Sequence, residues 1–188
     1  MIEAMIMSIE NGSNTAIVIA FAVVVIMSMA PFIPLPIVYG TIGYSFTGWL
    51  ALSINLAGSL LGTLLFFSCI RYLFHRKAAA FVIRHHRAQR LFALIERNGF
   101  QVVLIARIIP VVPSILVNSV SALSNLSVQT FLLATAIGKL PLIAIYTIAG
   151  NQVDIYTWQS LLFVLIYTVA LLIVAKYIQN KWNLAHAK

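Results

Sequence analysis

Long apolar runs alternate with short breaks rich in proline and glycine, and one polar, basic tract interrupts the series. Thr15 to Ala30 opens it with AIVIAFAVVVIMSMA, which predicts a first helix, short for a membrane crossing. PFIPLPIVYGTIGYSFTGW follows, apolar but interrupted by Pro31, Pro34, Pro36, Gly40, Gly43 and Gly48. Such a backbone suits a re-entrant hairpin better than a through-going helix, and Pro36 fits the first turn of a short helix. Trp49 to Ile70 then predicts an uninterrupted apolar helix. Its GSLLG, Gly58 to Gly62, is a small-residue face that lets another helix come close, within the chain or between subunits of a homo-oligomer. Asn55, Ser59 and Thr63 recur every four residues on a nearby face and read as packing.

The stretch GFQVVLIARIIPVVPSILVNSVSALSNLS, Gly99 to Ser127, is apolar enough for lipid yet holds Arg107, Pro110 and Pro113. Each proline removes a backbone donor and clashes with the preceding turn, so a second broken helix is expected. Val128 to Ala149 and Ser160 to Ile178 predict two further spans. A shift of 79 residues lays Pro31 and Pro34 on Pro110 and Pro113, and a shift of 80 lays Gly58 on Gly138. Each half then reads as a broken hairpin followed by a span with a glycine near its middle.

Composition sets the solvent. The 188 residues are 62% hydrophobic and 9% charged, with mean hydropathy +1.01. Soluble domains carry about 25% charged residues, so the chain is expected to be an all-α integral membrane protein. Residues 1–188 form one membrane domain, with a core over about 30–150 and a C-terminal span over about 158–178. The first fifteen residues contain Glu3 and Glu10 but no lysine or arginine, so no cleaved signal peptide is expected.

The net charge of +8 changes the topology rather than the partner class. Seven of the twelve basic residues lie from Arg71 to Arg97, against the single acid Glu96. They sit beside apolar segments, which points to anionic lipid headgroups and away from nucleic acid. Phe81, Ala88, Phe92 and Ile95 share one helical face with Arg84, Arg87 and Arg90 largely off it, an amphipathic surface helix ended by Asn98-Gly99. The positive-inside rule makes this linker, 71–98, cytoplasmic, and Lys176, Lys181 and Lys188 do the same for the C-terminus. The Gly99–Ser127 stretch must then enter and leave on the cytoplasmic side. The two hairpins come out opposed, an inverted repeat with its site where the broken helices meet.

At this point the residues resemble the VTT-domain superfamily, which includes the SNARE-associated Golgi and DedA-like proteins. The resemblance rests on P-F-I-P-L-P with Gly43 beyond it, on A-R-I-I-P-V-V-P with Asn118 after it, on G-K-L-P from Gly138 to Pro141, and on Y-T-I-A-G. It is closest to the Tvp-type branch. The DedA branch has acidic residues in its first hairpin, and Pro31 to Trp49 has none. Nor does this chain have the DedA arginine after the second motif proline, since Pro113 and Ser114 stand there. The resemblance implies two facing re-entrant hairpins and a role in moving lipids across a bacterial plasma membrane.

The chemistry that fits is recognition of a phosphate. Arg107 offers a planar donor fork that stays charged when desolvated; its structural alternative is to snorkel or to cap carbonyls of the broken helix. The new helix start near Ser114 favours an anion. Ser114, Asn118, Ser121 and Asn125 follow at steps of four, three and four, forming one polar face. Lys139 sits near the middle of a predicted span, either as a second phosphate contact or bonded to hairpin carbonyls. No acid lies centrally in any predicted span, which tilts both cations toward an anionic ligand.

No nucleophile–base motif, paired intramembrane aspartates or C-x-x-C is present, so an enzyme is not expected. His75, His85 and His86 lack the spacing of metal ligands, Cys69 reads as packing, and neither metal nor cofactor is expected. The rival to a transporter is a membrane scaffold acting through the basic linker.

Overall fold

The structure, a computed structural model, describes residues 14–29, 34–108 and 112–152. Pro31, Pro110, the predicted last span and the C-terminal lysines lie outside the described residues. Seven α-helices follow one another there, with no strand: α1 (Asn14–Met29), α2 (Leu35–Ser45), α3 (Gly48–Ser68), α4 (His75–Arg84), α5 (His86–Ile108), α6 (Ser114–Leu123) and α7 (Val128–Gln152).

The two proline clusters start the two short helices in the same way. Pro34 precedes α2 and its carbonyl accepts from the Ile37 amide at 3.0 Å; Pro113 precedes α6 and accepts from the Leu116 amide at 2.9 Å. Pro36 falls in the first turn of α2, where its missing donor costs nothing. Both helices end on an extended residue, Phe46 and Ser124, whose amide closes the last turn. At 11 and 10 residues they run only about 15 Å, half of a hydrocarbon core.

The long helices cover that distance. A π-helical turn, Cys69–Leu73, extends α3 so that Gly48–Leu73 is one apolar rod of 26 residues, about 39 Å long. Helix α7 matches it and continues through Pro141. These two are long and apolar enough to cross a membrane, and large apolar side chains such as Val18, Leu133, Ile137 and Ile148 face outward.

Glycines decide how closely the helices meet. Gly58 and Gly62 lie against α1, Gly58 at Val24 and Gly62 at the Val25 carbonyl and Ser28, so the small-residue face serves an internal contact. Helix α2 packs chiefly on α7, where Gly43 meets the Thr147 backbone and Gly150 meets the Gly40 backbone. Helix α5 packs on α7 at Gly138. One apolar cluster joins α1, α2, α3 and α7; another joins the end of α3 to α4, α5, α6 and α7.

The linker differs from the single amphipathic helix read from its periodicity. It breaks at His85, which is extended (φ −118°, ψ 108°), and the chain does not stop at Asn98-Gly99. Asn98 leaves helical geometry (φ −145°, ψ 58°), but the helix resumes through Gly99 to Ile108, giving a kink. Gly99 lies against Leu126, a close approach that a side chain would obstruct. Val82, Ala88, Leu91 and Ile95 are buried in the core, and Arg84 and Arg90 are exposed.

Candidate functional site

Asn55, Ser59 and Thr63, spaced for packing, form a fully buried polar ladder on α3. Lys139, from the middle of α7, donates its ammonium to Ser59 Oγ and Thr63 Oγ1, both at 2.8 Å. Among the described residues the ammonium of Lys139 thus rests on hydroxyls of α3. Hydroxyls one turn apart present their oxygens on one side of α3, within reach of a single ammonium. From α2 the Tyr39 hydroxyl donates to Ser59 Oγ at 3.1 Å. Asn55 Nδ2 donates to the Tyr39 carbonyl at 3.1 Å and to Thr147 Oγ1 at 2.9 Å. The ladder therefore ties α2, α3 and α7 together.

Arg107, on the last turn of α5, is 5% exposed, and Lys139 is 8% exposed. Its Nη2 donates to Asn118 Oδ1 on α6. Its Nε and Nη1 are buried with no hydrogen-bond partner among the described residues. The guanidinium carbon lies 5.6 Å from the centroid of the Phe131 ring. Gly138 makes this approach possible, since a Cβ there would fall 2.6 Å from Arg107 Cβ. Glu96 is the one acid among the described residues, and it is exposed, accepting from the Asn125 amide at 2.7 Å and from Asn125 Nδ2 at 3.1 Å. Neither buried cation has a carboxylate partner there. A group of three or more histidine, cysteine or acidic side chains is likewise not found among the described residues.

The predicted face on α6 is narrower than its spacing suggests. Asn118 and Ser121 are buried, and Ser121 Oγ has no hydrogen-bond partner among the described residues. Ser114, the first residue of α6, is exposed and stays outside the cluster. Asn125 follows the helix end, where Ser124 is extended, so helical spacing no longer governs it.

Tyr39 and the inward role of Arg71 were not singled out from the sequence, and Ser59 was read as packing. Tyr39 and Ser59 stand at the positions that shifts of 79 and 80 residues relate to Asn118 and Lys139. Reading the repeat residue by residue would have found them. Arg71 belongs by position to the basic linker, yet it turns inward and bonds the end of α6. It continues the four-residue stripe Asn55, Ser59, Thr63, Phe67, and that was its signal.

The comparisons with known proteins fall on the same region. Residues 33–152, from the residue before Pro34 to the end of α7, match the VTT domain. The uncharacterized protein YqeD of Bacillus subtilis (strain 168) is 32% identical over 180 residues, covering 96% of this chain and 85% of the relative. The uncharacterized membrane protein YhjE of the same organism is 31% identical over 154 residues, covering 80% and 74%. No solved structure matches the chain. The matched domain holds both short proline-started helices, the buried hydroxyl ladder and both cations, and with that extent of agreement this helical membrane protein belongs to the VTT-domain family.

Proposed function

We propose that this chain moves a lipid or another anionic, phosphate-bearing substrate across the bilayer, as a transporter or scramblase-like protein without catalytic chemistry. One observation carries the reading: among the described residues Arg107 and Lys139 are both buried with no carboxylate partner, and two donor nitrogens of Arg107 have no hydrogen-bond partner. A buried cation is costly in an apolar surrounding, and ionisable residues within membrane segments mark substrate paths. A phosphate supplies the missing negative charge and several acceptors at once. Asn118 orients the guanidinium, Ser59 and Thr63 hold the ammonium, and Ser121 lies one turn beyond Asn118 with its hydroxyl unpartnered among the described residues.

The short helices support the topology that this function needs. Helices α2 and α6 are too short to cross the hydrocarbon core, and each follows a proline. We infer two opposed re-entrant hairpins, an inverted repeat with the linker 71–98 and the C-terminus cytoplasmic in a bacterial plasma membrane. The acid-free first hairpin supports the Tvp-type branch. The partners are membrane lipids with anionic headgroups. A homo-oligomer would use a surface other than Gly58 and Gly62, which α1 covers.

The test is headgroup exchange of a fluorescent phosphatidylglycerol in vesicles holding the purified protein. Arg107→Ala is expected to slow exchange by about 10- to 100-fold, and Arg84→Ala with Arg90→Ala to leave it unchanged. Unaltered exchange in Arg107→Ala would overturn the site. Dependence of cellular function on Arg84 and Arg90 alone would favour the scaffold.

A further inference from the structure

We infer that Arg71 is a positioning residue for the Arg107 site, which it holds through the end of α6 and through an aromatic pair. This rests on the transport reading above.

The last carbonyls of a helix have no partner within it, and in an apolar surrounding each unsatisfied carbonyl is costly. Helix α6 meets this with the Ser124 hydroxyl, which donates to the Ser121 carbonyl at 2.9 Å, and above all with Arg71. Arg71 Nε donates to the Ala122 carbonyl at 2.9 Å, and Nη2 donates to Ser124 at 2.8 Å, to Leu126 at 2.9 Å and, more weakly, to Ser121 at 3.4 Å. The positive charge also sits at the negative end of the α6 dipole. Asn118 lies four residues before Ala122, so the clamp is about 6 Å along the axis from the side chain that engages Arg107.

A second route leads to the same guanidinium. Arg71 lies over the Phe67 ring at 4.4 Å, Phe67 stacks on Phe131 with centroids 4.4 Å apart, and Arg107 lies 5.6 Å from Phe131. The two arginines thus address one aromatic pair, both within the range of a cation–π contact. The backbone is adapted to the arrangement. Arg71 sits inside the π-helical turn Cys69–Leu73, where the Phe74 amide reaches the Cys69 carbonyl at 3.0 Å. Such wide turns are rare and recur at functional sites.

The test uses the full chain in the same vesicles with fluorescent phosphatidylglycerol, comparing wild type, Arg71→Gln, Arg71→Lys, Asn118→Ala and Arg71→Gln/Asn118→Ala. Folding is checked by thermal unfolding in detergent. Arg71→Gln is expected to slow exchange by about tenfold or more while still unfolding cooperatively. Arg71→Lys, which keeps the charge but lacks the fork, is expected to recover part of the rate. The double variant should be no slower than the slower single one, because both changes act on the same contact. Wild-type exchange in folded Arg71→Gln, or single effects that multiply in the double variant, would overturn the inference. If Arg71→Gln does not fold, Arg71→Lys and its double variant with Asn118→Ala carry the same comparison. If Arg107→Ala exchanges lipid as wild type does, the transport reading has failed. The coupling is then read from melting temperatures: non-additive losses support positioning, and additive losses overturn it.

Discussion

In the first half of the molecule α3 receives α1 at Gly58, and the next residue, Ser59, turns into the core; in the second, α7 receives α5 at Gly138, and the next residue is Lys139. The scaffold at the two crossings is alike, while the chemistry is not. Gly58 meets the aliphatic Val24, whereas Gly138 meets the charged Arg107. Tyr39, Asn55, Ser59 and Thr63 supply neutral groups, and both buried cations come from α5 and α7. The hydrogen bond from Lys139 to Ser59 joins the two crossings directly. One half therefore provides neutral polar groups, two of which accept from Lys139, and the other provides the buried charge; under the proposed function this separates what holds the helices together from what would meet a ligand.

That separation can be broken at its strongest point first. In Gly150→Ala the new Cβ would fall on the Gly40 carbonyl, backbone against backbone, with no side chain able to yield. We expect a loss of about 3 kcal/mol or no recoverable folded protein, seen as an early transition in thermal unfolding. Gly40→Ala is the control, since its Cβ meets the Tyr146 carbonyl at an ordinary 3.7 Å and should be tolerated.

The neutral half is next. Asn55→Ala removes the donor shared by the Tyr39 carbonyl and Thr147 Oγ1. We expect about 1–3 kcal/mol of lost stability in the same melts, with the exchange rate per folded molecule unchanged. A transport defect matching that of Arg107→Ala would erase the division between the halves.

Lys139→Met tests the charged half in the opposite sense. Replacing a buried ammonium that lacks a carboxylate with an apolar chain of similar length should leave stability unchanged or raise it by about 1 kcal/mol. Headgroup exchange should nonetheless fall by about tenfold. A stability gain together with a loss of rate would identify Lys139 as present for a ligand at the expense of the fold. The smallest effects belong to the exposed linker: Arg84→Ala and Arg90→Ala should each stay within about 0.5 kcal/mol of wild type in thermal unfolding.

Much of this was legible from local pattern. The start of α2 after Pro34 and of α6 after Pro113 followed from the prolines, because a residue without a backbone donor sits at no cost in a helix's first turn and is costly in its interior, a cost that α7 nonetheless bears at Pro141. The two long apolar helices emerged with nearly the expected bounds. Arg107, Asn118, Ser121 and Lys139 were recognisable as polar groups in apolar segments, and all four are buried. Ser114 and Asn125 were not separable from them: Ser114 begins α6 at its exposed end, and Asn125 lies past the last turn, where helical spacing no longer describes a face. Arg71 was obscured by its neighbours: six further basic residues follow it before Asn98, and a count of charges does not show that one of them turns inward.

By itself the sequence determined the solvent, the helices and their breaks, and the presence of cations where no acid stands near in the chain. These follow from hydropathy, period and proline, each acting within a few residues. The tertiary structure alone decided partnership: Lys139 on Ser59 and Thr63, Arg107 on Asn118, Arg71 on the carbonyls of α6. Those pairs join residues 11 to 80 positions apart. They exist because glycines let α1 meet α3 and α5 meet α7 closely, an arrangement that no single helical face specifies.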